Sequence, residues 1–326
     1  MMASSHTRTR VVLLVVAALL AFGASVALGA VSLSPGEVWQ ALLGYGEPST
    51  LVIVREIRLP RAALAAGIGA ALGVSGASLQ VALRNPLAEP YLLGVSGGAA
   101  VGAVGAVALG VAALGGIAGF AFIGAMVAVG VVLVLGRGGG AERLLMAGVV
   151  TGTFANAVIM VLLADAGPTA QRSALWWMMG SVAVARWSDV AFIGAALLLA
   201  GGTILHHARS LDLLSLGHET AASLGVDPER TVRRTFVLAS LLAAMTVATA
   251  GLVGFVGLMV PHLARRWQRH QGTRATMAFA AVLGALLVLV ADLAARLVRA
   301  PSELPLGAVT ALFGVPFFLW LLRGAR

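Results

Sequence analysis

Two serines and one histidine are the residues of this sequence whose types could support covalent chemistry. The tetrapeptide Gly-Val-Ser-Gly occurs twice, around Ser75 and Ser96, and His262 follows a proline much further along the chain. A histidine that activates a serine is the arrangement used by serine hydrolases. Both serines lie in runs rich in glycine, where a tetrapeptide of small residues is expected by chance. The spacing alone therefore does not predict an enzyme.

Two residue types that many catalytic and cofactor sites require are missing. The chain has no cysteine, and all 22 of its basic residues are arginine. Disulfides, thiolate metal sites and iron–sulfur clusters are therefore excluded. A P-loop and a Schiff base both need a lysine, so ATP, if it drives this protein, is hydrolysed by another subunit. His262 has no second ligand at metal-binding spacing, and we expect no cofactor and no metal in this chain.

The arginines Arg58 and Arg61 are three residues apart, so on a helix they share a face. A guanidinium group is always charged, and its planar fork suits carboxylates, which favours a grip for acidic residues of a partner protein. Anchoring to lipid headgroups is the alternative. Arg296 has Asp292 four residues before it, which would hold it in an ordinary intrahelical ion pair.

The elements that must position these residues are membrane helices. The chain is 60% hydrophobic and only 11% charged, which excludes an ordinary soluble domain. Apolar runs bounded by charge, proline or polar clusters predict an all-α integral membrane protein, one domain over residues 1–326. The first run resembles a signal peptide but is longer than a signal core, so we interpret it as a retained helix. The ten predicted spans are 11–31, 62–83, 92–110, 111–135, 143–164, 187–207, 235–250, 251–264, 277–297 and 305–322.

The arginines also predict which way the spans run. With the N-terminus inside, ten alternating spans place fifteen arginines on the inner side and seven on the outer side. Arginine retention on the cytoplasmic side explains this bias and predicts that both termini are cytoplasmic. It also accounts for the net charge of +9 without nucleic acid as a partner.

Two polar segments interrupt the apolar pattern. Residues 208–230 form a long inner loop, in which 216–226 has helix-forming content and a glycine, Gly225, where a C-terminal cap belongs. This predicts a short helix on the membrane surface, with a solvated linker as the alternative. Asn85 to Pro90 carries two prolines and cannot continue a helix, so it belongs at a span end or in a water-lined passage.

Four segments, in this order and spacing, resemble the FecCD-type (BtuC-like) permease family. This family supplies the membrane subunits of ATP-binding-cassette (ABC) importers for iron–siderophores, haem and cobalamin, and the resemblance implies their ten-helix type II importer fold. It covers the chain from about residue 50 to its end. The segments are Ile57-Arg58-Leu59-Pro60-Arg61 through Asn85-Pro86-Leu87-Ala88-Glu89-Pro90-Tyr91-Leu92-Leu93-Gly94, then Leu216 to Val226, then Gly251 to Arg265 with Pro261-His262, and finally Ala291-Asp292-Leu293 through Glu303-Leu304-Pro305-Leu306-Gly307 to Gly314-Val315-Pro316.

The resemblance also implies partners and site residues. It implies a homodimer in the bacterial cytoplasmic (inner) membrane, two ATPase subunits that bind ATP and Mg, and a periplasmic or lipid-anchored binding protein that delivers a metal chelate. It further implies a cytoplasmic gate in two parts, one at Asn85 and Leu87 and one at the start of the fifth span. Because Gly138-Gly139-Gly140 departs from the family pattern, this second part is less well matched than Asn85. The implied residues are Arg58, Arg61 and Arg296 for docking of the binding protein; Leu216, Gly217, His218, Glu219, Ala221, Leu224 and Gly225 for the coupling helix that seats in the ATPase; and Asn85, Leu87, Ala141 and Glu142 for a cytoplasmic gate.

Two other classes of membrane protein compete with this interpretation. An ion-gradient-driven secondary transporter needs polar or ionisable groups near the membrane midplane, whereas the carboxylates here fall near span ends. A rhomboid-like intramembrane protease would pair Ser75 or Ser96 with His262 but has fewer spans. Trp176 and Trp177 are typical of interfacial anchors, with contact to the delivered chelate or to the binding protein as the alternative.

Overall fold

The structure is a computed structural model that describes residues 2–111, 113–268 and 272–323. The described part is helical and contains no strand, which confirms the all-α prediction. Arg269 and Arg326, which were counted with the inner arginines, lie outside the described residues. The helices are α1 (Met2–Ala27), α2 (Pro35–Leu43), α3 (Pro48–Ala82), α4 (Val95–Ala108), α5 (Leu114–Leu135), α6 (Gly140–Ala164), α7 (Pro168–Met178), α8 (Trp187–His206), α9 (Ala208–Ser215), α10 (His218–Ser223), α11 (Pro228–Ala250), α12 (Val256–Trp267), α13 (Thr273–Leu297) and α14 (Leu306–Arg323).

Ten of these helices correspond to the ten predicted spans. Among the described residues, seven helices are long and apolar enough to cross a membrane: α1, α3, α5, α6, α8, α11 and α13. Two more, α4 and α14, are apolar but shorter. The tenth, α12, has only 12 residues and is separated from α11 by a break at Gly251 to Phe255. Both predicted splits between neighbouring apolar runs, near residue 110 and near residue 251, are confirmed.

Helices α3 and α13 form the centre of the bundle, and glycine lets their backbones touch. A Cβ atom on Gly69 would lie 2.1 Å from the carbonyl oxygen of Gly284, and one on Gly73 would lie 2.3 Å from that of Ala280. Neither separation can accommodate a side chain. In lipid, the hydrophobic effect does not drive helices together. Small residues at the contacts let the helices approach closely and gain dispersion energy instead. The glycines of the second predicted span therefore serve packing.

The short helix α12 tolerates an internal proline because a neighbour replaces the missing donor. Pro261 has no N–H, so the carbonyl of Gly257, four residues earlier, has no intrahelical partner. The Gln80 side chain on α3 places its Nε2 atom 3.4 Å from this oxygen and 3.3 Å from the carbonyl of Leu258. Arg265 in turn donates to Gln80 Oε1. The buried Gln80 amide thus supplies the hydrogen bonds that these backbone carbonyls could not obtain from lipid.

The structure differs from the predicted elements on the predicted outer side. Helix α3 begins at Pro48 rather than near residue 62, because Arg58 and Arg61 are buried and do not end it. Helices α2 and α7 were not predicted. The signal for α2 was present, since Ser34 and Glu37 form a capping box: the N–H of Glu37 donates to Ser34 Oγ (3.3 Å) and the N–H of Ser34 to Glu37 Oε2 (2.6 Å).

Candidate functional site

The three arginines singled out for docking meet at one end of the bundle, with two carboxylates. Arg61 on α3 donates to Asp292 on α13 through Nε (3.0 Å) and Nη2 (2.8 Å), and to both oxygens of Glu303 at 2.8 and 2.9 Å. Arg296 Nε lies 3.1 Å from Asp292 Oδ2, as expected for the intrahelical pair. We call Arg58, Arg61, Asp292, Arg296 and Glu303 the outer cluster, after the side on which the sequence places it.

Two arginines of the outer cluster hold the end of α1. Arg58 Nη1 donates to the carbonyls of Val26 (3.1 Å) and Ala27 (2.6 Å), and Arg296 donates to the carbonyl of Ser25 (3.2 Å) and to its hydroxyl (2.7 Å). The last carbonyls of a helix lack intrahelical partners and carry partial negative charge, so a guanidinium group suits them. The cluster therefore joins α1, α3 and α13.

The side chains of the outer cluster point inward. Arg58, Arg61 and Arg296 are each less than 8% exposed, and Asp292 is 1% exposed, whereas the Glu303 side chain is 39% exposed. Their guanidinium groups already have internal partners. Docking of a second protein on Arg58, Arg61 and Arg296 stays a prediction, and it requires those partners to be shared or exchanged.

The predicted gate loop is held in place by its own polar groups. Asn85 Oδ1 accepts the N–H of Leu87 (2.9 Å), which closes a turn and leaves the Leu87 side chain half exposed. Further along the loop, buried Glu89 accepts the N–H of Phe255 through Oε1 (2.9 Å). Phe255 has a positive φ of 66° and lies immediately before α12, as its N-cap residue. Glu89 thus fastens the loop to the start of the broken helix.

Burial governs the ionisation of Glu89, which lies between the second and third spans. It raises the pKa of this carboxyl from 4.5 to about 7, and the hydrogen bond from Phe255 offsets only part of the effect. Glu89 therefore exchanges a proton near neutral pH.

The second part of the predicted gate lies at the start of α6. Ala141 is half-buried and Glu142 is exposed. Helix α6 also packs closely against the residues that follow the predicted gate loop, since a Cβ atom on Gly148 would lie 2.8 Å from the Cα of Leu93. Ala141 and His218 line one cavity of about 420 Å³, which places this part of the gate beside the predicted coupling segment.

The helix predicted over 216–226 is shorter in the structure and covers only His218–Ser223 (α10). Leu216 and Gly217, whose φ is 120°, lie between it and α9 (Ala208–Ser215), a short helix that was not predicted. We call α9 and α10 the coupling segment, after the role predicted for it. Helix α10 ends as predicted: Gly225 has φ 82°, its N–H donates to Ala222, and the N–H of Val226 donates to Ala221. These bonds form a Schellman motif. Of the predicted contact residues, Ala221 is fully buried beneath the helix, whereas Leu216, His218, Glu219, Leu224 and Gly225 are exposed.

The protease arrangement finds no support in the geometry. Ser75 Oγ donates to the carbonyl of Ala239 (2.8 Å), and Ser96 Oγ donates to the carbonyl of Tyr91 (2.8 Å). Both hydroxyls satisfy backbone oxygens in place of a histidine.

Helix α6 presents a polar group to its surroundings at mid-span. Asn156 lies well inside Gly140–Ala164 and is exposed, in line with exposed Thr153. A carboxamide is costly in contact with hydrocarbon and normally faces another helix or a water-filled passage. This face of α6 is therefore unlike a surface covered by lipid.

Sequence reasoning did not identify Glu89 and Gln80 as the residues that hold the start of α12 in place. Glu89 contacts Phe255 at the end of the break before α12, and Gln80 contacts Gly257 and Leu258 within α12, each from a segment some 170 residues away in sequence. The sequence does show a polar residue inside or beside an apolar run. Such a residue needs a hydrogen-bond partner when it is buried, but the sequence does not identify that partner.

The sequence matches the profile of the FecCD transport family over residues 13–324. It is 40% identical to the cobalamin import system permease protein BtuC of Halobacterium salinarum, over 89% of this chain and 80% of the relative. It is 38% identical to the hemin transport system permease protein HmuU of Yersinia pestis, over 96% and 95%. A solved structure described as an inward-facing conformation of a metal-chelate type ABC transporter superposes with a TM-score of 0.87 at 28% identity, covering 95% of this chain and 97% of that one.

Proposed function

The chain belongs to the FecCD transport family, and on that premise we propose that it is the membrane permease subunit of an ABC importer that carries a metal chelate into the cell. Relatives are named for cobalamin and for hemin, which supports a chelate as the cargo. Cobalamin, haem and iron–siderophores are the candidate substrates. A path that releases so large a ligand is lined by apolar and small polar side chains.

One observation carries this proposal. The likeness to a solved structure described as a metal-chelate type ABC transporter extends over 95% of this chain and 97% of that one, so nearly the whole fold is shared. A short, stiff pair of helices outside the spans is what a subunit needs when a separate motor moves it, because a flexible loop would absorb the displacement. A secondary transporter has no such requirement.

Two ATPase subunits, which bind ATP and Mg, complete the importer on the cytoplasmic side in this proposal. The chain has no lysine for a P-loop, so hydrolysis takes place in those subunits. Exposed Leu216 and Leu224 offer them an apolar contact, and His218 and Glu219 flank it. Ala141 and His218 line the same cavity, so the start of α6, with the predicted gate residues Ala141 and Glu142, lies beside the segment that the ATPase subunits would move.

The outer cluster is the proposed receiver of the binding protein. Its three arginines exceed its two carboxylates by one charge, and exposed Arg55 and Arg299 lie in the same outer segments of the chain. Excess positive charge steers an acidic surface to this end and sets its orientation. Glu303 is the half-exposed member, so an incoming carboxylate would compete with it for Arg61.

A second copy of the chain is the proposed occupant of the α6 face. Asn156 needs a polar environment, which a homodimer with a central pathway supplies. The proposal thus places the membrane-embedded chelate path between two copies of α6, in the cytoplasmic membrane, with both termini inside.

The experiment that tests this function is uptake by the reconstituted complex. The chain is purified with the ATPase and binding protein encoded beside it, placed in liposomes with ATP, and offered cobalamin, haem and a ferric siderophore in parallel. We expect ATP-dependent accumulation of one of the three. Accumulation of none, with an intact and ATP-hydrolysing complex, would contradict a chelate importer.

A further inference from the structure

The coupling segment is bonded to the first residue of a central membrane helix. Asp212 on α9 accepts the N–H of Thr273 through Oδ1 (2.7 Å), and Thr273 opens α13. The residue before it, Gly272, has no side chain to cap the helix, so Asp212 supplies the cap from far along the chain. A carboxylate also suits the partial positive charge of a helix N-terminus.

Helix α9 is firmly seated at this position. Leu211 and Leu214, on either side of Asp212, are at most 1% exposed. The Asp212 side chain is thus carried by a packed helix, and displacement of α9 displaces the carboxylate with it. This differs from a local cap, which would move with the helix it caps.

Helix α13 leads from Asp212 to the outer cluster. Its 25 residues span about 37 Å, with Thr273 at one end and Asp292 and Arg296 near the other. Backbone contact at Gly69 and Gly284 and the bonds from Arg61 to Asp292 fasten it to α3. Two helices in backbone contact along their length move together, because neither can slide without breaking close packing.

We propose that Asp212 is a positioning residue that joins the coupling segment to α13, so that a displacement imposed by the ATPase moves the α3–α13 pair and, with it, the outer cluster. This proposal rests on the proposed function. It assigns to this hydrogen bond, beside the packing of α9 on α3 and α13, a role in the connection between the site of ATP hydrolysis and the predicted docking site on the opposite side of the membrane.

The test is the number of substrate molecules taken up per ATP hydrolysed by the reconstituted complex. Asp212→Ala removes the acceptor, and Asp212→Asn keeps an oxygen in its place. Asp189→Ala is the matched control, since Asp189 Oδ2 accepts the N–H of Arg186 (3.0 Å) as a cap within its own helix, α8. Copurification of the ATPase and the thermal unfolding temperature report assembly and folding for each variant.

We expect Asp212→Ala to copurify with the ATPase and to hydrolyse ATP, but to lose at least about tenfold in uptake per ATP and to lose stimulation of hydrolysis by the binding protein. Asp212→Asn should retain most of both. Wild-type coupling in Asp212→Ala, or an equal loss in Asp189→Ala, would overturn the proposal. If the wild-type complex shows no ATP-dependent uptake, the proposed function fails instead.

A second variant covers the case in which Asp212→Ala does not assemble. The double variant Asp212→Cys with Thr273→Cys rebuilds the link as a disulfide in a chain that has no other cysteine. Uptake per ATP should be near wild type when oxidised and low after reduction in the same sample. Equal coupling in both states would overturn the proposal.

Discussion

At the scale of single residues, the outer cluster is where a small change has a large effect. Asp292 is 1% exposed and pairs with both Arg61 and Arg296. Its negative charge therefore offsets the repulsion between two buried guanidinium groups. Asp292→Asn keeps the shape and removes the charge. We expect a loss of about 3 kcal/mol in the free energy of unfolding, because an uncompensated buried charge remains. Thermal or denaturant unfolding in nanodiscs measures it.

Glu303→Gln is the control for this prediction. Glu303 also contacts Arg61, but its side chain is 39% exposed and water can replace it. Its removal should cost less than about 1 kcal/mol. An equal loss for the two variants would contradict the assignment of Asp292 as the buried centre of the cluster.

Glu89 predicts a dependence of stability on pH. Burial raises the pKa of Glu89 to about 7 from 4.5, so the folded chain binds this proton more tightly than the unfolded chain does. The stabilisation that protonated Glu89 gives the folded chain is therefore complete below the unfolded pKa of 4.5 and is lost as pH rises through the folded pKa of about 7. Glu89→Gln keeps an acceptor for Phe255 and cannot ionise. Its unfolding temperature should fall less than that of the wild type between about pH 5 and about pH 8. Identical pH profiles would contradict this account.

At the scale of elements, contact between α3 and α13 depends on glycine. Gly69→Ala would place a methyl group 2.1 Å from a backbone oxygen, which no side-chain rotation relieves. We expect a loss of about 3 kcal/mol in the free energy of unfolding, the upper range for overpacking. Gly105→Ala on α4 is the control, because its added Cβ meets nothing within 4 Å. Alanine favours a helix, so this variant should be neutral or slightly stabilising. Equal effects of both variants would contradict the packing argument.

Hydropathy and helix-terminating residues predict most of these elements, since ten apolar runs correspond to ten helices and Gly225 ends α10 as expected. The start of α3 was misplaced because charge normally ends a span, and only the folded structure shows Arg58 bonded to the end of α1. The bonds from Asp212 to α13 and from Glu89 to α12 join segments distant in sequence. Composition and spacing indicate that such polar groups need hydrogen-bond partners. Which partners they have is decided by tertiary packing and cannot be predicted from the sequence alone.

At the scale of the whole molecule, the exposed face of α6 predicts contact with a second copy. The chain has no cysteine, so single-cysteine variants report one position each. We expect Asn156→Cys in liposomes to yield crosslinked dimers with a bifunctional maleimide. Leu198→Cys on α8 is the control, since Leu198 is 79% exposed on another helix and should face lipid. Equal crosslinking of both variants, or crosslinking of Leu198→Cys alone, would contradict the proposed interface.

The energy source of transport tests the central claim most directly. The chain is reconstituted in liposomes either alone, with an imposed proton or sodium gradient, or with its ATPase and binding protein and internal or external ATP. The account predicts uptake of the chelate in the complete assembly only, with ATP on the side of the ATPase, and none when the P-loop lysine of the ATPase is replaced. Accumulation of the chelate by the chain alone on an ion gradient would contradict it.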